Sequence, residues 1–492
     1  MSQAEQTAAE TASSEQAAAR NSSAIVLGRL LVAALGWGGS VLIARALSPQ
    51  DWGQFSFVFG LLGLLAIITD LGVGRVVLGR LLDSDEAEVS RLASSFIALR
   101  ATLGLLGYVA AVAYVALMGY PSTVLRATVV AGLVVVVATP SHALTVLYQS
   151  RLRLTLVAVG EVCAQAVQLA LTVVAALFAP VLLIFVLPAL ANELVALAWK
   201  VLGLRRGNAG PRPTRTISLR LWRSMLTEAV PLTIGAAMVT MLSKLDVLML
   251  SRLDTFDSVG LYSVGYKFSD VLIVVALAVV LPINTLLVQS WPDAPKIFRR
   301  QVRQATITLG LLATVAVVAF WAAATPILTL LYGDRFAVAA SAARLLVAGG
   351  GLAMLTQLGF IVLVSANRSR VYPWLGLAAL SLNIGLNVVL IPHMSYNGAA
   401  VATIITESVL VVMVWVMIGR TIPVRGLMPL REIVGLALLG AAMIALSTVV
   451  LRWVPWPVVT LGCVLVVPLA SHGLRLTRDV PLRDFLPRGR KT

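Results

Sequence analysis

Long apolar segments follow one another along almost the whole chain, and only short polar turns separate them. A helix needs about 20 consecutive apolar residues to cross a bilayer, and each segment meets or approaches this length. A spanning barrel would instead show alternating segments of about ten residues. The pattern therefore predicts an all-α polytopic membrane protein with about fourteen transmembrane helices. The segments lie at approximately 24–46, 54–78, 94–118, 124–148, 154–178, 181–203, 226–250, 260–288, 305–331, 337–365, 371–392, 397–419, 433–453 and 456–475.

The composition agrees with this pattern. Of the 492 residues, 59% are hydrophobic and 12% are charged, and the mean hydropathy is +0.93. An average soluble protein carries about 25% charged residues. Cys163 and Cys463 lie far apart inside apolar segments, and the histidines lack metal-ligand spacing. We therefore expect no disulfide and no metal site, and the chain shows no phosphate-loop motif that would indicate a nucleotide cofactor.

Polar stretches divide the chain into parts. The first of them is rich in Ala, Glu, Gln and Ser and lacks an apolar core, so it predicts a disordered tail and not a cleaved signal peptide. The longest internal one is basic and rich in Pro and Gly, as expected of a linker. The predicted parts are a tail (1–23), a lobe of six helices (24–203), the linker (204–225), a second lobe of six helices (226–420), two extra helices (433–475) and a basic tail (476–492).

Lysine and arginine residues concentrate in every second turn, and this bias sets the orientation of a membrane protein. The basic set includes Arg80, Arg151, Arg299 and Arg370, whereas the intervening turns hold scattered cations such as Arg45. Both termini are therefore predicted on the cytoplasmic side. The net charge of +16 arises mainly from these membrane-proximal turns, so nucleic acid is not an expected partner.

A short turn occurs twice in the chain. "ARALSPQDWGQFSF" (44–57) and "SRLDTFDSVGLYSV" (251–264) share an arginine, a glycine and a serine at the same spacings. In the first copy Ser48 is a predicted N-cap, with Pro49 and Asp51 in the first helical turn. In the second copy Thr255 has the capping position. Each copy is predicted to close a helical hairpin.

Two further matches occur in the same order along the chain. "LYQSRLR" (147–153) resembles "VSANRSR" (364–370), which aligns Arg151 with Arg368. Glu193 and Glu407 each stand thirteen residues before an arginine. Because each half begins on the same side of the membrane, the matches predict a parallel repeat of two six-helix lobes, with a site at their interface. The last two helices have no counterpart.

Two longer stretches resemble a known family. "NIGLNVVLIPHMSYNGAAVATIITE" (383–407) and "GRLLVAALGWGGSVLIARALSPQDWGQFSF" (28–57) are similar to signatures of Wzx-type polysaccharide flippases. These belong to the multidrug/oligosaccharidyl-lipid/polysaccharide exporter superfamily, together with the lipid II flippase and the drug/cation antiporters. The resemblance covers residues 23–475. It implies two lobes around a central cavity, and alternating access that moves an isoprenoid-diphosphate-linked glycan outward.

Three arginines form the first group of candidate site residues. Arg29 lies about 9 Å into the first helix at 1.5 Å per residue, and Arg75 and Arg100 lie at a similar depth from the cytoplasmic side. Arginine forks suit the charge of a diphosphate. The alternative role of each arginine is to snorkel to the inner headgroups.

The other candidates are ionisable groups inside spans, where they are costly and therefore candidate functional residues. Lys244 and Asp246 in the seventh helix and Lys267 and Asp270 in the eighth predict a cluster in which Asp246 meets Lys267. The lysines are candidates for binding the headgroup. The alternative is an ion-pair cluster that holds two helices together. The candidates for a coupling-ion site or an ion pair are Asp70, Glu193, Asp246, Asp270 and Glu407.

These features predict a non-enzymatic flippase of the bacterial cytoplasmic membrane. Its partners would be the lipid-linked glycan, membrane lipids and the glycosyltransferases or polymerase of the cell envelope. A drug/cation antiporter of the same superfamily is the first alternative, and an acidic cavity would favour it. A non-transporting scaffold for glycan synthesis is the second. A membrane glycosyltransferase or polymerase is disfavoured, because the outer turns are too short to carry a catalytic loop.

Overall fold

The computed structural model describes residues 27–83, 85–207, 213–214 and 216–477, and it is helical throughout, with no strand among these residues. The predicted amino-terminal tail, part of the basic linker and nearly all of the predicted carboxyl-terminal tail lie outside the described residues. The helices of the first half are α1 Leu27–Ala46, α2 Pro49–Asp70, α3 Val73–Asp83, α4 Glu86–Leu117, α5 Ser122–Ser150, α6 Leu154–Phe178 and α7 Leu182–Arg205.

The second half continues the same pattern of long antiparallel helices. Short 3₁₀ helices at Asp334–Ala339 and Ser369–Val371 precede the fourth and fifth of them. The helices are α8 Leu219–Leu253, α9 Phe256–Ser290, α10 Pro295–Tyr332, α11 Ala340–Ser365, α12 Tyr372–Thr421, α13 Leu430–Val450 and α14 Trp456–Gly473.

The helices account for the predicted apolar segments. The segment predicted at 54–78 is broken into α2 and α3, and α12 contains two predicted segments joined at Ser395, whose φ of 53° and ψ of −141° interrupt the helix. Eleven helices of the described chain are long and apolar enough to cross a membrane. The chain is a multi-pass helical membrane protein, as its hydrophobic pattern predicts.

Contacts divide the chain into two compact units, Met1–Thr240 and Met241–Thr492. The boundary falls inside α8, so the beginning of this helix belongs to the first unit. The reason is side-chain packing: Met225 of α8 joins a buried cluster with Val77 of α3 and Phe96 of α4. In addition, Trp222 Nε1 donates a hydrogen bond of 2.8 Å to Ser95 O.

The second unit contains the two helices that have no counterpart in the first. Both α13 and α14 pack on α10. Val318 and Ala322 of α10 form a buried cluster with Val459, Cys463 and Val467 of α14. The sequence favoured small apolar core residues for both cysteines; this is right for Cys463, which is buried, and wrong for Cys163, which is exposed.

The repeated turns have the predicted caps. Ser48 precedes α2 and accepts a hydrogen bond of 3.1 Å from Asp51 N, and Pro49 is the first helical residue. Thr255 precedes α9 and accepts a hydrogen bond of 3.3 Å from Ser258 N. The shared function of the two copies is to start the second helix of a hairpin.

A second pair of equivalent turns follows α5 and α11. Leu152 and Asn367 have left-handed φ values of 56° and 57°. The next residue donates a backbone hydrogen bond back across the turn, from Arg153 N to Tyr148 O at 2.9 Å and from Arg368 N to Leu363 O at 2.8 Å. Arg153 and Arg368 are therefore equivalent, which shifts the predicted alignment of Arg151 with Arg368 by two residues. The alignment of the two turns therefore follows from the backbone hydrogen bonds to helix-end carbonyls, and not from the matching of residue types in the sequence.

Candidate functional site

The break between α2 and α3 lies beside two of the predicted charged residues, Asp70 and Arg100. Leu71 and Gly72 have positive φ values of 42° and 62°. A break of this kind leaves helix carbonyls without their usual partners. Arg100 of α4 supplies a hydrogen-bond partner for one of these carbonyls, because its Nη1 donates to Thr69 O at 2.6 Å. The same atom donates to Asp70 Oδ1 at 2.7 Å.

Arg100 and Asp70, predicted separately, form one ion pair. The Arg100 side chain is 3% exposed and that of Asp70 is 63% exposed. The charge of Arg100 is therefore already engaged by a carboxylate and a carbonyl at the break. Its contacts stabilise the backbone of the first unit.

Two features require glycine at position 72: its positive φ value and a close neighbour from α8. A β-carbon at this position would overlap Cγ2 of Thr233 from α8. Thr233 Oγ1 donates a hydrogen bond of 3.1 Å to Leu71 O. The early part of α8 thus packs directly on the interrupted backbone and helps to satisfy it.

Arg29 and Arg75 differ from Arg100 in their surroundings. Both side chains are exposed, on α1 and α3 of the first unit. Neither forms an ion pair or a side-chain hydrogen bond with any described residue. Their guanidinium groups are available to an anion.

A buried lysine that sequence reasoning missed lies in the same unit. Lys200 of α7 is 3% exposed, and its Nζ donates to Ser141 Oγ at 2.9 Å and approaches Glu161 Oε1 at 3.9 Å. Glu193, one of the predicted candidates, interacts electrostatically with Lys200 and Glu161. The spacing of seven residues between Glu193 and Lys200, two helical turns on one face, was the signal in the sequence.

Asp246 occupies a different kind of site in the second unit. It is 2% exposed and belongs to α8. Tyr262 Oη and Thr403 Oγ1 donate to its Oδ2 at 2.6 and 2.8 Å, and Asn387 Nδ2 donates to its Oδ1 at 2.7 Å. The donors come from α9 and from both halves of α12. All three donors are neutral, and among the residues that the structure describes no cation forms an ion pair with this carboxylate.

The predicted contact between Asp246 and Lys267 is wrong. Asp246 forms no ion pair with a described residue, and polar side chains from α12, which the prediction did not include, donate to its carboxylate instead. Tyr262 lies in the repeated turn motif, and Asn387 and Thr403 lie in the family signature at 383–407. The residues were visible in the sequence, but their convergence on Asp246 was not.

The predicted lysines lie near Asp270 without contacting it. Asp270 interacts electrostatically with Lys244 and Lys267. Neither lysine forms a direct ion pair with a described residue. The Nζ of Lys244 lies 5.8 Å from the centroid of the Tyr266 ring. These side chains form a loose, mixed-charge group beside the Asp246 site.

Glu407 completes the polar group of the second unit. Thr356 Oγ1 of α11 donates to its Oε2 at 3.5 Å, a long hydrogen bond. Glu407 also interacts electrostatically with Asp246. Its predicted counterpart Glu193 has a lysine as well as a carboxylate nearby, whereas the charged neighbour of Glu407 is the carboxylate Asp246.

An apolar cavity of about 310 Å³ lies elsewhere in the second unit. Glycine and alanine residues leave the space for the cavity because they have little or no side chain, and the aliphatic side chains of α11 and α13 form its walls. Its lining includes Gly310, Ala313, Gly351, Leu355, Ile433 and Gly440. One wall comes from α13, which has no counterpart among the described helices of the first unit.

Solved structures with the same fold are flippases and multidrug transporters. A lipid II flippase MurJ in an inward closed conformation aligns with a TM-score of 0.72 at 12% identity, over 94% of this chain and 99% of that one. An inward-facing multidrug resistance MATE transporter of the MOP superfamily gives 0.62 at 14% identity, over 82% and 95%. A MOP superfamily transporter from Pyrococcus furiosus gives 0.57 at 12% identity, over 81% and 94%. The chain therefore has the fold of the MOP superfamily.

The sequence itself identifies the family. A family model described as polysaccharide biosynthesis protein matches residues 18–288, which is more than half of the 492 residues. The chain belongs to this family. No curated protein matches the sequence.

Proposed function

We propose that the protein is a flippase for an isoprenoid-diphosphate-linked glycan precursor. The glycan head would pass from the cytoplasmic to the outer leaflet of a bacterial cytoplasmic membrane by alternating access, with both termini cytoplasmic. Membership of the polysaccharide biosynthesis family, together with the fold shared with a lipid II flippase, supports the class of substrate. Glycosyltransferases or a polymerase would supply and consume the substrate.

The observation that carries the substrate assignment is the state of three arginines. Arg100 is buried and paired, but Arg29 and Arg75 are exposed and have no side-chain partner among the described residues. Guanidinium groups match the geometry of phosphate oxygens. Arg29 and Arg75 are therefore the proposed diphosphate ligands. The apolar cavity beside α13 offers apolar volume for part of an isoprenoid tail, beside the helices of the second unit.

A reconstitution experiment tests this assignment. Purified protein is placed in vesicles that contain a polyisoprenyl-diphosphate-linked oligosaccharide, and a glycan-binding protein measures the head exposed on each face. Arg29→Ala and Arg75→Ala should each reduce flipping about tenfold or more, since each removes a charge-assisted contact with phosphate. Arg91→Ala, an exposed arginine in the first turns of α4, is the matched control and should flip normally.

Three outcomes would overturn the proposal. If Arg29→Ala and Arg75→Ala flip the substrate at the wild-type rate, the diphosphate is bound elsewhere or not at all. If wild-type protein does not flip the glycan but exchanges a cationic dye for protons or sodium, the antiporter function applies. The carboxylates Asp246, Asp270 and Glu407 of the second unit are the specific observation that would favour that alternative. A protein that moves neither would fit the scaffold.

Asp246 is the proposed coupling residue. A buried carboxylate without a cationic partner is costly in a membrane protein, and a proton or a monovalent cation would neutralise it. The Oδ1 atom of Asn387, beside Asp246, is buried and has no hydrogen-bond partner in the described structure, so an oxygen ligand is available there. Flipping should then accelerate when a proton or sodium gradient is imposed on the vesicles. A flipping rate that changes with neither gradient would exclude this role.

A further inference from the structure

A groove at one end of the second unit is not used by the proposed flippase mechanism. It has a volume of about 700 Å³. One wall comes from the later part of α10, the second from the turn between α13 and α14, and α11 contributes one arginine. The lining side chains that carry the argument are Thr325, Leu330, Arg344, Leu451, Val454 and Trp456.

Arg344 is held in place within this groove. Its Nε donates to Trp321 O at 3.1 Å, and its Nη2 donates to Thr325 Oγ1 at 3.3 Å. The guanidinium carbon lies 5.9 Å from the centroid of the Trp321 ring. These contacts fix the orientation of the planar fork. The Nη1 group has no partner among the described residues, so the fork keeps donors for a ligand.

The rest of the groove is suited to a lipid. Leu330 is 65% exposed, and Leu451, Val454 and Trp456 continue the apolar lining. No acidic side chain lines the groove to neutralise Arg344. Tryptophan and arginine are typical of the level of lipid headgroups, and the donors of Arg344 that remain without a protein partner favour an anionic ligand.

The first unit provides an internal comparison. Arg126 is the fifth residue of α5, and Arg344 is the fifth residue of α11, the helix in the corresponding place of the predicted repeat. Arg126 is exposed. The groove at Arg344 depends on the turn between α13 and α14, which has no counterpart in the first unit. The structure therefore builds a site around only one of these two arginines.

We propose that this groove binds the phosphate group of a membrane lipid. Arg344 would hold the phosphate, and an apolar chain would lie along Leu330, Val454 and Trp456. The phosphate has two possible sources, an anionic phospholipid of the bilayer or an isoprenyl diphosphate. The proposal concerns a site separate from Arg29 and Arg75, and it does not depend on the flippase function.

Native mass spectrometry of the full-length protein in detergent tests the site. Phosphatidylglycerol, phosphatidylcholine and farnesyl diphosphate are titrated separately, and the bound fraction is measured for each. Wild-type protein should bind phosphatidylglycerol or farnesyl diphosphate more tightly than zwitterionic phosphatidylcholine. Arg344→Gln should weaken binding of the preferred anionic lipid about tenfold, since a charge-assisted contact is lost. Arg126→Gln, the matched control, should leave it unchanged.

A competition experiment separates the two sources. If farnesyl diphosphate displaces phosphatidylglycerol from wild-type protein and binds Arg344→Gln poorly, the site takes an isoprenyl diphosphate. If phosphatidylglycerol remains bound, the site takes a phospholipid. Val454→Trp narrows the groove without touching the arginine, and it should weaken binding even if Arg344→Gln does not fold. Equal binding by wild type and the folded groove variants, or no preference over phosphatidylcholine, would overturn the proposal.

Discussion

The two units contain the same kinds of charged side chains, but the buried ones have different partners in each unit. In the first unit the buried cations have acidic partners: Arg100 pairs with Asp70 at 2.7 Å, and Lys200 approaches Glu161 at 3.9 Å. In the second unit the buried Asp246 has three neutral donors, and no described cation pairs with it. Paired charges hold a structure together, whereas a carboxylate held by neutral groups can change its charge by taking up a cation. The comparison predicts a structural role for the paired charges of the first unit and is the basis for proposing Asp246 as the coupling residue.

The predicted repeat sharpens this contrast. Glu193 and Glu407 stand at matching places in the sequence, thirteen residues before an arginine. Seven residues after Glu193 the chain has Lys200, but seven residues after Glu407 it has the apolar Val414. The same acidic position therefore lies near a cation in one unit and near Asp246 in the other.

The largest expected effect concerns transport. Asp246→Asn removes the charge but keeps the shape, and it should reduce gradient-driven transport about 100-fold. Glu193→Gln, the control from the first unit, should change transport less than about threefold, because Glu193 already has a cationic neighbour, Lys200. Gradient-driven flipping in vesicles measures both. Equal losses in the two variants would remove the distinction between the units.

The next effect concerns stability in the first unit. Asp70→Ala leaves the Arg100 guanidinium buried without its carboxylate, and it should lower the free energy of unfolding by about 2–3 kcal/mol. Asp70→Asn keeps an acceptor oxygen and should cost about 1 kcal/mol. Unfolding in mild detergent measures the difference. A variant that keeps wild-type stability but loses transport would show that the pair has a direct role in transport.

The smallest effect compares the two copies of the repeated turn. Ser48→Ala should lower the free energy of unfolding by about 1 kcal/mol, as expected for loss of an N-cap. Thr255→Ala should cost about 0.5 kcal/mol, at the lower end for such a cap, because its hydrogen bond is longer, 3.3 against 3.1 Å. Ser48 Oγ also donates to Asp51 Oδ2 at 2.7 Å. The same unfolding assay applies, and a larger loss for Thr255→Ala than for Ser48→Ala would contradict this ranking of the two caps.

Much of the fold was predictable from local pattern. Apolar length predicted the helices, since a membrane leaves the backbone few alternatives to helical hydrogen bonding. Capping chemistry located the turns at Ser48 and Thr255, because an N-cap needs only residues close in sequence. The break at Ser395 falls between two of the predicted segments. The resemblance of two stretches to polysaccharide flippases agrees with the polysaccharide biosynthesis family whose model matches the chain.

Site geometry was harder to predict, for a physical reason. Arg100 and Asp70 are separated by thirty residues, and only the left-handed backbone at Leu71 and Gly72 makes the carbonyl that Arg100 satisfies available. Lys200 was overlooked because its partners lie on α5 and α6. Contacts between helices depend on helix rotation and tilt, which composition does not contain.

The sequence by itself determined the helices, their turns, the class of protein and the supply of charged residues. The tertiary structure decided which of those charges are satisfied. It placed Tyr262, Asn387 and Thr403 around Asp246 where Lys267 was expected, and it gave Arg344 a groove while leaving Arg126 exposed. A side chain's charge is a property of its residue type, but the free energy of that charge depends on the groups packed around it. Those groups come from helices that are distant in the chain.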